Sequence, residues 1–212
     1  MPSSACNRSS LVDIPLWRVE TDSSGREVRM VQMPFEQTSY DLVTHAVVRK
    51  VMDRNQDGIS DRIVTYQGLG GARSEETDTD FDGIVDRWDT FAADGRRIRS
   101  AAAGTGATPD RIATYDSAGT LRQVEIASNS DGRIDLVRTY EGGRLAENRI
   151  DSDGDGRTDR IQDFRKGYLS AEDFDTDEDG RPNVRMTYAR DGTLLKAEVL
   201  GVEPPRRGTG TR

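Results

Sequence analysis

The segment DSDGDGRTD, Asp151 to Asp159, sets four carboxylates at positions 1, 3, 5 and 9 of a nine-residue stretch, with Gly156 at position 6. Two carboxylates about 5 Å apart at an effective dielectric of about 20 repel by roughly 3 kcal/mol. A fold that holds four together therefore calls for a cation between them. The pattern recurs. Asp53, Asn55, Asp57 and Asp61 surround Gly58; Asp78, Asp80, Asp82 and Asp86 surround Gly83; Asp175, Asp177, Asp179 and Asn183 surround Gly180. In a tightly wound loop alternate residues point inward, so positions 1, 3 and 5 converge. Glycine at 6 allows the bend, and the carbonyl of residue 7 (Ile59, Ile84, Arg157, Arg181) is expected to turn in beside the oxygen at 9. Six to eight hard oxygens at about 2.3–2.6 Å suit calcium. With no Cys or His nearby, zinc and copper do not fit. About four calcium ions are expected. The stretch 127–135 keeps Asn129, Asp131 and Asp135 but opens on Ala127, a weak candidate; 102–110 keeps only Asp110 and is expected to be empty.

These loops are spaced by a period. Segments starting at Asp53, Asp78, Ala102, Ala127, Asp151 and Asp175 carry an aromatic at their fourteenth residue: Tyr66, Phe91, Tyr115, Tyr140, Phe164 and Tyr188. Thr precedes it in all but one, and a glycine follows three or four residues later, from Gly70 to Gly192. Short runs such as DRIVTY and DLVRTY favour strands, and ADG, SAG, EGG and RDG are tight-turn chemistry. One 24–25-residue unit therefore reads as acidic loop, strand, turn, strand. The expected fold is all-β: tandem β-hairpins in an extended, twisted or coiled antiparallel sheet, with the calcium loops along one edge and the glycine turns along the other. Twelve strands at about 4.8 Å would span on the order of 55–60 Å. Residues 53–200 form this array. Residues 15–52 are expected to cap it as a degenerate leading unit, with a hairpin about Ser24-Gly25 and a strand through His45 into the first loop. Residues 1–14 and 201–212 read as disordered.

The loops match the first half of an EF-hand loop, D-x-[DN]-x-[DN]-G, but position 12 lacks its glutamate and strands replace helices. With the last acid at 9 they resemble the calcium loops of integrin-type propellers and thrombospondin type 3 repeats. The hairpins resemble bacterial tyrosine-bearing hairpin repeats, from Asp53 to Leu200. SSAC, ending at Cys6, resembles the end of a bacterial lipoprotein signal, which implies a lipid on Cys6; a plain thiol is the alternative.

Composition narrows the function. Hydrophobic residues make up 33% of the chain and charged ones 32%, too polar for a large single core. A net charge of −8 argues against nucleic acid, and against an anionic membrane except through a lipid anchor. No apolar run approaches the roughly 18 residues needed to span a bilayer. One cysteine precludes an intrachain disulfide. His45 is the sole histidine, which leaves little for triad chemistry, and no phosphate-cradling glycine motif occurs. Trp88 and the arginines Arg62, Arg87, Arg111 and Arg160 read as strand packing and cross-strand charge pairing. The expectation is a non-enzymatic calcium-binding scaffold or binding module of a bacterial cell envelope (outer membrane or periplasm), or secreted, with a protein or glycan partner at the cell surface. Two alternatives are a calcium-responsive sensor and a carbohydrate-binding or carbohydrate-active protein.

Overall fold

The computed structural model describes residues 16–201 apart from 34, 69, 70 and 130. The expectations for residues 1–14, Cys6 among them, for Gly70 and for the tail beyond Gly201 lie outside the described residues. Sixteen strands follow one another: β1 (Leu16–Thr21), β2 (Glu27–Met33), β3 (Glu36–Asp41), β4 (Val47–Met52), β5 (Arg62–Tyr66), β6 (Ala72–Thr77), β7 (Arg87–Phe91), β8 (Arg97–Ala102), β9 (Arg111–Tyr115), β10 (Leu121–Ile126), β11 (Leu136–Glu141), β12 (Arg144–Ile150), β13 (Arg160–Arg165), β14 (Tyr168–Phe174), β15 (Val184–Tyr188) and β16 (Leu194–Val199). Each pairs antiparallel with the next in one open sheet, and β1 and β16 do not meet. The described residues are all-β, as the period implied. Acidic loops follow the even strands from β4 onward and hairpin turns follow the odd ones, so the two kinds of connection occupy opposite edges.

Residues 16–52 supply two hairpins rather than one. β1 and β2 join through Asp22–Arg26, with Gly25 at φ 81°. β3 and β4 join through residues 42–46, where His45 lies exposed at φ 57°. The strand expected to run through His45 therefore starts only at Val47. Asp41 explains the turn, because its Oδ1 accepts from the amides of Val43 (2.9 Å) and Thr44 (2.6 Å).

Turn chemistry sets each hairpin. Gly25, Gly95, Gly119 and Gly192 close four-residue turns at φ 80–85°. Gly142-Gly143 and Lys166-Gly167 form two-residue turns with both φ positive, the geometry that matches strand twist. From β3 onward the register slips one residue beside an aromatic in every hairpin: Tyr40, Tyr66, Phe91, Tyr115, Tyr140, Phe164 and Tyr188. Such bulges increase local twist. Tyr40 identifies β3–β4 as a true member of the series.

Among the described residues strands touch only their sequence neighbours, and no second layer of these residues covers either face. The core is a central row within the sheet. Val64 and Val124 are 3% and 1% exposed, shielded by long side chains on adjacent strands. Polar residues share this row. Glu172 is buried and accepts from Gln162 Nε2 (2.8 Å), Tyr188 Oη (2.6 Å) and Arg160. On the other face Asp173 takes both prongs of Arg185, at 2.6 and 2.7 Å. Of the four position-10 arginines, Arg62 pairs across strands with Glu75 and Arg160 with Glu172. Arg87 instead pairs within its own strand with Asp89, and Arg111 joins no ion pair among the described residues. Trp88 is half-buried opposite Glu76 and Ala101, in strand packing.

Candidate metal centres

Among the described residues, four groups of three aspartates place one carboxylate oxygen from each residue within 4.8 Å of the others: Asp53, Asp57 and Asp61; Asp78, Asp80 and Asp86; Asp151, Asp153 and Asp159; Asp175, Asp177 and Asp179. Each group could hold a metal ion, and they lie in the four loops whose spacing suggested it. The donors are hard oxygens throughout, the set that suits calcium-like rather than thiophilic ions.

The geometry follows from the sequence step by step. The position-1 carboxylate winds the loop around itself. Asp53 accepts from the amides of Gln56 (2.6 Å) and Gly58 (2.9 Å), Asp78 from Phe81 (2.7 Å) and Gly83 (2.8 Å), and Asp151 from Gly154 and Gly156 (both 2.8 Å). Asp175 takes the amide of Gly180 at 2.7 Å. The glycines at position 6 have φ 87–92°, a region open to glycine. Position 4 is left-handed too, which the sequence did not announce: Gln56, Phe81 and Glu178 sit at φ 58–68° where the fifth loop has Gly154.

Position 5 divides. Asp57, Asp82, Asp155 and Asp179 each accept from the amide two residues on, that of Ile59 (2.7 Å), Ile84 (2.8 Å), Arg157 (2.7 Å) and Arg181 (2.8 Å). Asp57 and Asp179 still reach their groups, whereas Asp82 and Asp155 fall outside them. Asn55 is bound to Asp57 through both its Nδ2 (2.8 Å) and its Oδ1 (3.1 Å).

Position 9 has a second task. Its side-chain oxygen accepts the amide of position 2: Asp61 from Arg54, Asp86 from Thr79 (3.1 Å), Asp135 from Ser128 (2.5 Å), Asp159 from Ser152 (2.5 Å) and Asn183 from Thr176 (3.0 Å). Asp110 does the same for Gly104 at 2.7 Å, which explains why an acid persists in a loop that has lost the others. The carbonyl of position 9 then receives the amide that opens the next loop: Asp78 to Asp61 (2.8 Å), Ala103 to Asp86 (2.8 Å), Ala127 to Asp110 (2.7 Å), Asp151 to Asp135 (2.8 Å) and Asp175 to Asp159 (2.8 Å). This ladder shows that the third loop opens at Ala103, not Ala102, and is one residue short. Along the same edge Arg133 Nη1 donates to the carbonyl of Gly154 (2.6 Å) and Arg157 Nη1 to that of Glu178 (3.1 Å). Each of these arginines spans to the following loop.

One oxygen bears on the fit of a cation: Asp61 Oδ1 is buried with no hydrogen-bond partner, on a residue 1% exposed that belongs to an aspartate group. Asp135 Oδ1 is left in the same way in the fourth loop. Partial desolvation and the charges of Asp82 and Asp78 push the Asp80 carboxyl above its usual value. Desolvation acts in the same sense on Asp175, but the amide of Gly180, with Asp177 and the amides of Asp179 and Glu178, outweighs it and holds that carboxyl low. The fourth loop forms no such group among the described residues; Asn129 and Asp131 bond to each other instead (3.1 and 3.2 Å).

The chain matches no protein-family model and no curated protein. Among solved structures it is similar to TarM and to an S. aureus TarM mutant in complex with Fondaparinux, alpha-GlcNAc-glycerol and UDP, each at 10% identity. The TM-scores are 0.37 and 0.38, over 47% and 49% of this chain. The chain spans about a fifth of the length of those proteins, 19% and 20%. Likeness at this level carries no argument about fold or activity.

Proposed function

We propose that this chain is a non-enzymatic hairpin-repeat protein whose acidic loops hold structural calcium, serving as a scaffold or binding module in a bacterial cell envelope or outside the cell. The observation that carries the reading is the buried Asp61 Oδ1, left without a hydrogen-bond partner within a group of three acids. For Asp61 an unsatisfied buried acceptor costs about 1–3 kcal/mol, and a cation at that point removes the cost. The all-oxygen donors and nine-residue loops favour calcium over magnesium, which demands a tighter octahedron and keeps its waters. Because strands of the described residues pack only on their sequence neighbours, metal bound only by the native loops would add directly to stability. Millimolar calcium outside the cytoplasm would keep weak structural sites filled.

Circular dichroism and small-angle scattering of the chelated chain during calcium titration test this. The expected result is a rise in melting temperature and a more compact profile at near-millimolar calcium, with magnesium much less effective. A profile and melting curve indifferent to calcium would reduce the loops to polar turns.

A further inference from the structure

On the edge opposite the acidic loops, the last two hairpins enclose an open cavity of about 400 Å³. Arg165, Lys166 and Arg190 line it together with Tyr168, Tyr188 and Ser170, and no acid does. In a chain of net charge −8 this is an unusual concentration of positive charge. None of the three cations joins an ion pair among the described residues. Nearby Arg160 and Arg185 are by contrast committed to Glu172 and Asp173. Asp191, next to Arg190 in the chain, accepts the amide of Thr193 at 3.0 Å and joins no ion pair among the described residues.

Arg190 is also held in place. The Arg190 guanidinium lies 4.6 Å from the Tyr168 ring centroid, and its Nη2 donates to Tyr168 Oη at 2.7 Å. That arrangement fixes a planar fork suited to paired oxygens. Lys166 occupies φ 53° in a two-residue turn whose counterpart between β11 and β12 is Gly142-Gly143.

From these features we infer that the pocket binds a phosphate or sulfate ester carried on a saccharide. The cations take the ester oxygens, and the Tyr188 ring, its hydroxyl held by Glu172, flanks the sugar beside Leu169, the familiar division of a pocket into apolar sides and a few placed polar groups. Charge decides between this ligand and an anionic lipid surface. Screening within about 8–10 Å lets one ester group sense mainly the local cations, while an extended anionic surface meets the net negative chain. This deepens the binding-module reading by naming a partner class, and it does not depend on the metal loops.

The test titrates the full calcium-saturated chain with a sulfated oligosaccharide, a phosphorylated one and the neutral parent sugar. Amide shifts confined to residues 165–170 and 188–190 are expected with the two charged ligands only. The double variant Arg165→Ala/Arg190→Ala should weaken binding at least tenfold. Lys166→Gly, which relieves the turn and keeps the fold, should weaken it severalfold without lowering the melting temperature. Asp151→Ala, on the far edge, should leave it unchanged. Undiminished binding by both cation variants, equal binding of the neutral sugar, or binding solely to anionic phospholipid vesicles would overturn the proposal. Saccharide binding without calcium uptake would sink the metal reading alone.

Discussion

Asp61 concentrates three demands in one side chain. Its Oδ2 accepts the amides of Arg54 and Asn55 and so closes the first loop. Its Oδ1 is buried without a donor and its carboxylate belongs to an aspartate group. Asp61→Asn keeps the acceptor and deletes the charge, so the two states of the protein should respond with opposite signs. In chelator the melting temperature should hold or rise, since a buried charge has gone. In calcium it should fall, with one fewer ion per chain by calorimetric stoichiometry. Glu172 shows the same logic without metal. Its burial pushes the carboxyl up, but Gln162, Tyr188 and Arg160 more than compensate and hold it below the usual 4.5. A carboxyl depressed in the folded state stabilises the fold fully above its unfolded value and loses that contribution as pH falls through the folded one. Glu172→Gln should therefore cost about 1–2 kcal/mol at neutral pH, and the deficit should shrink below about pH 4 in urea melts followed across pH.

At the scale of the element, the loop is a backbone device before it is a ligand cage. Position 1 gathers the amides of positions 4 and 6 in the first, second and fifth loops, and position 9 gathers that of position 2. The third loop, one residue short, keeps only the second of these. There a Cβ on Gly104 would lie 2.8 Å from Asp110 Oδ2. In the fifth loop Gly156 has open space around it but φ 91°, so the expected cost of Gly156→Ala is conformational alone. It should destabilise the protein by about 1 kcal/mol and lower calcium affinity at that loop, by denaturant melts and calcium titration. An affinity unchanged by this substitution would mean that the left-handed turn does not shape the cage.

The whole molecule is a row of near-equivalent units joined only to their neighbours. Stability in such an array is a sum of unit and interface terms, so one whole unit should be removable. Deleting Asp151–Phe174 joins Ile150 to Asp175 in the same loop register. The shortened chain should fold with two strands and one ion fewer, by circular dichroism and metal counting. A failure to fold would show that longer-range closure, not neighbour pairing, holds the sheet. The open edges remain. Leu194, Leu195 and Val199 on β16 are exposed, as expected for a strand with a neighbour on one side only.

The period of aspartates, aromatics and glycines was enough to establish hairpins, their order and the four acidic groups. Most of the loop and turn geometry depends on local φ and on short-range hydrogen bonds, which residue types carry directly, the left-handed Gln56, Phe81 and Glu178 excepted. What tertiary structure alone decided lies across strands. The ladder from each position 9 to the next position 1 places the third loop's start at Ala103. Tyr40 becomes a member of the series only through its bulge against β4, and His45 leaves the strand because Asp41 caps a turn there. The meeting of Arg165, Lys166 and Arg190 likewise joins two hairpins more than twenty residues apart. Such features arise from pairing between segments, and a linear pattern records which residues are present but not which partners they find.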